Sequence, residues 1–185
     1  MGLAEDQARL RALLLERSVK HGSFTLASGQ TSSYYIDCRL TTMSAEGQVL
    51  TGKLGLGAIR GAGWAPDAIG GLTMGADPVA YAIAAASFGS PPAVDAFSVR
   101  KTPKEHGTGR LIEGNFSRGS KVVVVEDVIT SGGSALRAVD AVRDEGGEVL
   151  GVLAVVDRQG EGRGRIEAAG VPVVVLETAG GLGLV

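Results

Sequence analysis

The chain has 185 residues, of which 44% are hydrophobic and 21% charged, and its formal net charge is −2. This length suits a single domain over 1–185, and the composition argues against a disordered chain. Because the net charge is slightly negative, the protein as a whole has no electrostatic attraction to nucleic acid or to an anionic membrane. Any anion that the chain binds must therefore meet a local cluster of cations.

The N-terminal segment is charged every few residues and lacks the apolar core of a signal peptide. No apolar run approaches the roughly 20 residues that span a bilayer. The single cysteine, Cys38, excludes an internal disulfide framework and is typical of a reducing compartment. We expect Cys38 to be a buried small residue rather than a nucleophile, and the protein to be cytoplasmic.

The first half of the chain predicts helices and strands in alternation. Leucine spacing indicates an amphipathic helix over about residues 4–18, and residues 24–38 read as extended segments around a turn. Ser44 is placed to cap a helix that runs to about Gly61. The remaining predictions are a short strand over 67–70, a glycine-bearing turn over 71–78 and an alanine-rich helix to about Ser87.

The second half continues the alternation. Four consecutive valines within 121–128 predict a strand that is covered on both faces. The other predicted elements are a strand over 93–99, a helix over 134–146, a strand over 149–156, a short helix over 162–170 and a closing strand within 172–178. This order predicts an α/β fold with a central parallel sheet flanked by helices.

The most informative segment is residues 121–135, KVVVVEDVITSGGSA. Loops that follow parallel strands gather at the carboxyl edge of a sheet, where α/β proteins bind ligands. The free N–H groups of a helix N-terminus suit a phosphate, glycines let the backbone close around it, and hydroxyls add donors. The predicted phosphate loop comprises Thr130, Ser131, Gly132, Gly133 and Ser134.

Two acids, Glu126 and Asp127, stand immediately before this loop. Carboxylates would repel the phosphate itself, so they make sense only if they meet another part of the ligand. The vicinal hydroxyls of a ribose donate hydrogen bonds to carboxylates. The pattern therefore predicts a ribose phosphate site, although an ordinary strand–turn–helix with a polar turn has the same local sequence.

The segment EDVITSGGSA resembles the phosphoribosyl-diphosphate signature of type I phosphoribosyltransferases: two acids, two apolar residues and a T-S/A-G-G/T-S/T loop. The resemblance implies that family's fold, with a small hood contributed by about residues 1–40. It assigns the ribose hydroxyls to Glu126 and Asp127 and the 5′-phosphate to the 130–134 loop. Val128 and Ile129 lie between the acid pair and the 130–134 loop and are counted with the substrate-binding residues.

Residues 100–109, RKTPKEHGTG, concentrate positive charge, and their proline and glycines predict a loop. A solvated basic loop without a task is the simpler interpretation. Cations that arrive with loop closure would, however, neutralise charge on a departing diphosphate and exclude water. This cationic loop is similar to the RKxxKxHG loop of orotate phosphoribosyltransferases, which commonly reaches into the partner's site of a dimer. The resemblance implies a homodimer whose diphosphate-binding and catalytic residues are Arg100, Lys101, Lys104 and His106, Lys104 foremost, together with Asp127.

Asp157-Arg158-Gln159 follows the predicted strand over 149–156 and resembles the D-R-Q segment of the same family, whose arginine meets orotate. The arginine fork offers paired donors to a carboxylate and to carbonyl oxygens, which suits an anionic base. An ion pair with a neighbouring acid is the alternative for Arg158.

The segment FTLASGQTSSYYID, at 24–37, resembles a family segment in which the backbone after the tyrosine lines the base pocket. This points to Tyr35 and Ile36, whose side chains would serve equally well as strand core. Many family members carry lysine where this chain has Ala27 and Gly75. The tail after Glu177 is assigned no role.

Together these resemblances imply an orotate phosphoribosyltransferase, which joins ribose 5-phosphate from phosphoribosyl diphosphate to orotate in pyrimidine synthesis. Mg2+ is the implied cofactor, held mainly by substrate oxygens and waters rather than by a metal cage of protein residues. Neither nucleic acid nor a membrane is an expected partner. Two alternatives stay open: a purine phosphoribosyltransferase, and a non-catalytic regulator that senses phosphoribosyl diphosphate.

Overall fold

The computed structural model describes residues 2–25, 31–102 and 111–185, which alternate between helices and strands. The helices are α1 (Leu3–Arg17), α2 (Arg39–Thr42), α3 (Ala45–Gly61), α4 (Ala76–Phe88), α5 (Gly133–Asp144) and α6 (Gly162–Ala168). The strands are β1 (Val19–Thr25), β2 (Thr31–Ile36), β3 (Ala68–Leu72), β4 (Asp95–Val99), β5 (Ile112–Gly114), β6 (Lys121–Ile129), β7 (Glu148–Asp157) and β8 (Val173–Thr178).

Six of these strands form one sheet in the order β5-β4-β3-β6-β7-β8. All neighbouring pairs are parallel except β4 and β5, which are antiparallel at the edge. The carboxyl ends of the parallel strands therefore lie along one edge of the sheet. The predicted α/β class is confirmed, and β5 adds one antiparallel strand to the predicted parallel sheet.

The valines of β6 show that both faces of the sheet are covered. Val123 and Val125 are buried in a core shared with α1, α3 and α4, whereas Val122 and Val124 are buried in a second core shared with α5 and α6. Successive side chains of a strand point to opposite faces, so one run of valines serves both cores. The prediction of a strand covered on both sides is confirmed.

The N-terminal part combines a helix of the main core with a separate hairpin. α1 packs against α3 and buries Leu10, Leu13 and Leu14, while β1 and β2 pair antiparallel in a sheet of their own. The predicted cap is confirmed, because Ser44 Oγ accepts a hydrogen bond from the Gly47 N–H at 3.1 Å.

The turn predicted over 71–78 is wrong in its extent. Gly71 and Leu72 continue β3, the turn occupies only residues 73–75, and α4 begins at Ala76. A Cβ at Gly71 would overlap the Val125 carbonyl, so this glycine permits close strand packing rather than a turn. The sequence pattern also does not predict α2 or β5, because such short segments carry no resolvable period.

Cys38 is free and fully buried, as predicted. Burial raises the pKa of its thiol well above the ordinary value, which leaves the thiol protonated and poorly nucleophilic. None of the described helices is long and apolar enough to cross a membrane.

Candidate functional site

A cavity of about 690 Å³ opens where β3, β6 and β7 end, and the β1–β2 hairpin forms one of its walls. Parts of all four sequence motifs reach it. The predicted site residues that line it are Tyr35, Ile36, Lys101, Glu126, Asp127, Val128, Thr130, Ser131, Ser134 and Arg158.

Four other predicted residues are described but do not line this cavity: Arg100, Ile129, Gly132 and Gly133. The Ile129 side chain is buried in the core shared with α5 and α6, and the two glycines have only backbone to offer. Lys104, His106 and Ala27 lie outside the described residues.

The 130–134 loop turns sharply at Gly132, which has a φ of 75°. A Cβ at this position would lie 2.6 Å from the Gly162 carbonyl oxygen, so both the left-handed conformation and the space require glycine. No amide from Ser131 to Ser134 donates a hydrogen bond to another described residue. The loop therefore presents several free N–H donors at the N-terminus of α5, an arrangement that suits a phosphate.

Two contacts from the start of α6 hold this loop in place, and the sequence reasoning missed both. Gly162 packs so closely that a Cβ there would lie 2.5 Å from the Thr130 carbonyl oxygen. Arg165 Nη1 donates to the Ser131 carbonyl at 2.9 Å. No local signal marks either residue, because α6 follows the loop by some thirty residues in the sequence.

The acid pair at the end of β6 is divided between the interior and the cavity. Glu126 is only 7% exposed, whereas Asp127 is partly exposed. Burial raises the pKa of the Glu126 carboxyl well above its ordinary value, and the negative charge of Asp127 raises it further. Glu126 therefore holds a proton more readily than an ordinary glutamate does.

The 73–75 turn closes against the acid pair. A Cβ at Gly75 would lie 2.6 Å from Asp127 Oδ1, so the carboxylate occupies the space that a side chain at position 75 would need. Thr73, Met74 and Gly75 line the cavity, and the Thr73 N–H donates to the Val99 carbonyl at 2.8 Å. Gly75 stands where many family members carry a lysine. In this chain, Asp127 can lie where it does because position 75 has no side chain.

Arg158 is held against the hairpin wall of the cavity. Its Nη2 donates to Ser32 Oγ at 2.9 Å, and its guanidinium lies 4.6 Å from the centroid of the Tyr34 ring. Arg158 forms no ion pair with another described residue, so the ion pair considered as its alternative role is not observed. The sequence reasoning named Tyr35 and Ile36 but missed Ser32 and Tyr34.

The other two residues of the D-R-Q segment shape the chain around Arg158. Gln159 has a positive φ of 59°, and its N–H donates to Asp157 Oδ1 at 2.8 Å. Gln159 Oε1 accepts from the Gly180 N–H at 2.6 Å. The C-terminal tail, to which the sequence assigned no role, thus supports the segment that presents Arg158.

A further ion pair at the cavity was not predicted. Asp37 and Arg39 both line it, and the Arg39 guanidinium donates to both carboxylate oxygens of Asp37 at 2.8 and 3.0 Å. This pairing lowers the pKa of the Asp37 carboxyl from its ordinary value.

Two of the basic residues of the cationic loop are described. Lys101 lines the cavity, whereas Arg100 Nη1 lies 3.9 Å from Glu113 Oε1.

Comparison with known proteins agrees with this geometry. The model of the phosphoribosyl transferase domain family matches residues 52–175. The orotate phosphoribosyltransferase of Aquifex aeolicus is 46% identical over 174 residues, covering 92% of this chain and 94% of the relative.

Solved structures are similar over nearly the whole chain. Mycobacterium tuberculosis orotate phosphoribosyltransferase in complex with Fe(III) dicitrate is 46% identical, with a TM-score of 0.86. The same protein in complex with 5-phospho-alpha-D-ribosyl 1-diphosphate is 42% identical, with a TM-score of 0.80. Each alignment covers 97% of this chain and 99% of the solved chain. With its fold, cavity and relatives in agreement, this chain belongs to the phosphoribosyltransferase family and, within it, to the orotate phosphoribosyltransferases.

Proposed function

We propose that this chain transfers ribose 5-phosphate from phosphoribosyl diphosphate to orotate, giving orotidine 5′-phosphate and diphosphate in pyrimidine synthesis. One observation carries the proposal: part of the 130–134 loop with its free amides, the acid pair and Arg158 all line one cavity. These groups suit, in turn, a phosphate, a ribose diol and an anionic base.

The sugar phosphate is bound from two sides. The 130–134 loop holds the 5′-phosphate with backbone amides and hydroxyls, and Glu126 and Asp127 accept hydrogen bonds from the ribose hydroxyls. Breaking the bond to the diphosphate develops positive charge on the sugar ring, as in other glycosyl transfers. The partly exposed Asp127 carboxylate is placed to stabilise that charge.

Orotate enters beside the hairpin. Arg158 faces its carboxylate, and the backbone of Tyr35 and Ile36 lines the rest of the base pocket. The contacts of Arg158 with Ser32 and Tyr34 fix its direction before the base arrives, which reduces the conformational entropy lost on binding. An uncharged purine has no carboxylate, so it cannot form a charge-assisted pair with this guanidinium, which disfavours the purine alternative.

The departing diphosphate accumulates negative charge, which the cationic loop neutralises through Arg100, Lys101, Lys104 and His106.

Mg2+ also fits this site. Within 2–25, 31–102 and 111–185, no group of three or more His, Cys, Asp or Glu is arranged to hold a metal. Mg2+ would be held mainly by substrate oxygens and waters, with the acid pair nearby to supply oxygen ligands. When bound, the ion supplies charge neutralisation at the diphosphate.

Two further parts of the proposal concern the assembly and its location. The chain forms a homodimer in which the cationic loop of each subunit serves the partner's site. The protein is cytoplasmic, consistent with a sole cysteine that is buried and unpaired.

The direct test of the proposal is turnover. Protein supplied with Mg2+, phosphoribosyl diphosphate and orotate is expected to consume orotate and release diphosphate, and a panel of free purines is expected to give no product. Preference for a purine would favour the purine enzyme. Binding of phosphoribosyl diphosphate without turnover of any base would favour the regulator.

Arg158→Lys should impair recognition of the base. A lysine has the charge but not the paired donors, so we expect the KM for orotate to rise roughly tenfold or more. The dissociation constant for phosphoribosyl diphosphate should stay within about twofold of the original, because the sugar site is untouched. Steady-state kinetics and calorimetry measure the two quantities. The matched control is Arg163→Lys on α6, and an equal loss in both variants would contradict the assignment.

Glu126→Gln should change how stability depends on pH. The pKa of Glu126 is raised in the folded chain. At pH values between the ordinary pKa and the raised pKa, the folded state therefore holds more protons than the unfolded state. The original protein therefore loses stability as pH rises through that window. Because glutamine cannot ionise, the variant should gain stability relative to the original as pH rises. Denaturant unfolding from about pH 4 to pH 8 measures this difference, and a difference independent of pH would contradict it. Glu148→Gln, at an exposed position, is the control.

Co-expression of two inactive variants tests the shared loop. If Lys104 serves the partner's site, a dimer of one Lys104→Ala and one Asp127→Asn subunit has one intact site. Random pairing would then restore about a quarter of the original activity. If the loop serves its own subunit, no activity returns. Asp127→Asn paired with Arg158→Ala is the control, because both residues belong to the same subunit's site and no dimer has an intact one.

A further inference from the structure

Asp77, in the first turn of α4, accepts hydrogen bonds from two hydroxyls that belong to different segments. Thr73 Oγ1 donates to Asp77 Oδ2 at 2.5 Å, and Ser98 Oγ donates to Asp77 Oδ1 at 2.7 Å. Tyr81 extends the network, since its hydroxyl lies 2.9 Å from Ser98 Oγ. One carboxylate therefore joins the start of the 73–75 turn to the end of β4.

Both of these segments lead into the site. The 73–75 turn lines the cavity, and β4 ends one residue before Arg100, where the cationic loop begins. A backbone hydrogen bond from Thr73 to Val99 runs beside the Asp77 contacts. Asp77 itself does not line the cavity, so its charge is turned towards the two hydroxyl donors.

The position of the turn decides which part of the substrate it meets. Gly75 lies directly against Asp127, the acid proposed to bind a ribose hydroxyl. The carbon that bears the diphosphate is next to the ribose 2′-hydroxyl, whereas the 5′-phosphate is on the far side of the sugar. With the ribose placed as proposed, the turn lies on the diphosphate side of the sugar, and the 5′-phosphate lies in the 130–134 loop.

We propose that Asp77 is a positioning residue for the diphosphate: it fixes the 73–75 turn relative to the root of the cationic loop. This inference rests on the proposed function. Asp77 acts through Thr73 and Ser98 and does not touch the substrate. Its removal would leave the turn and the loop root joined only through the backbone, by contacts such as the Thr73–Val99 hydrogen bond. The turn would then be held less firmly, and binding would weaken most for ligands that contain a diphosphate.

A simpler role for Asp77 makes a different prediction. An acid in the first turn of a helix stabilises the helix through the dipole, whatever the site contains. In that case its removal would lower the melting temperature and leave the affinities for different ligands in the same ratio. The two roles are separated by comparing ligands with and without the diphosphate.

The experiment compares Asp77→Ala with the original protein by calorimetry, using phosphoribosyl diphosphate and orotidine 5′-phosphate with Mg2+. Orotidine 5′-phosphate occupies the phosphate loop, the acid pair and the base pocket but has no diphosphate. We expect the dissociation constant for phosphoribosyl diphosphate to rise about tenfold or more, since two hydrogen bonds to a charged group are lost. The constant for orotidine 5′-phosphate should stay within about twofold.

Two companion variants make the result decisive. Ser98→Ala removes one of the two hydrogen bonds and should give a smaller change in the same direction, even if Asp77→Ala does not fold. Asp140→Ala, the same replacement at an exposed position of α5, should change neither affinity.

The outcomes also separate this inference from the proposed function. Equal weakening of both ligands in Ser98→Ala and Asp77→Ala, or no change in either ligand, would overturn the positioning role. If the original protein failed to bind phosphoribosyl diphosphate at all, the proposed function would fall and the inference with it.

Discussion

The site depends on a close approach of two backbones that no side chain would permit. Gly132 at the turn of the 130–134 loop and Gly162 at the start of α6 lie against each other, and a Cβ on either would collide with the other segment's backbone. This contact, with the Arg165 hydrogen bond to Ser131, holds the loop open at the N-terminus of α5. The amides remain free for an anion because the loop is supported from behind rather than by bonds of its own.

In the proposed function, the charges around that loop receive different parts of one ligand. The acids of β6 lie beside the proposed anion site, and burial raises the pKa of the Glu126 carboxyl well above its ordinary value. Positive charge comes from Arg158 on the hairpin side and Lys101 on the loop side of the cavity. Because these cations come from separate elements, the distances between base, sugar and leaving group are set by the packing of the whole sheet.

The sequence predicts those features that are encoded locally. Four consecutive valines identify β6, Ser44 identifies the start of α3, and the acids with the loop after them identify a segment that lines the cavity. The features that it does not predict depend on contacts between distant segments. Ser32 and Tyr34 hold Arg158 across the cavity, and Gly162 packs behind the loop. Gly71 is predicted as part of a turn because nothing nearby in the chain reveals how close the backbone of the neighbouring strand β6 lies.

In the proposed complex, the amides of the 130–134 loop bind the 5′-phosphate and the acid pair binds the sugar diol. A crystal structure of the protein with ribose 5-phosphate would test both contacts. We expect phosphate oxygens about 2.7–3.2 Å from the amides between Ser131 and Ser134, with the ribose hydroxyls on Glu126 and Asp127. A phosphate bound elsewhere in the cavity, or a sugar turned away from both acids, would contradict it.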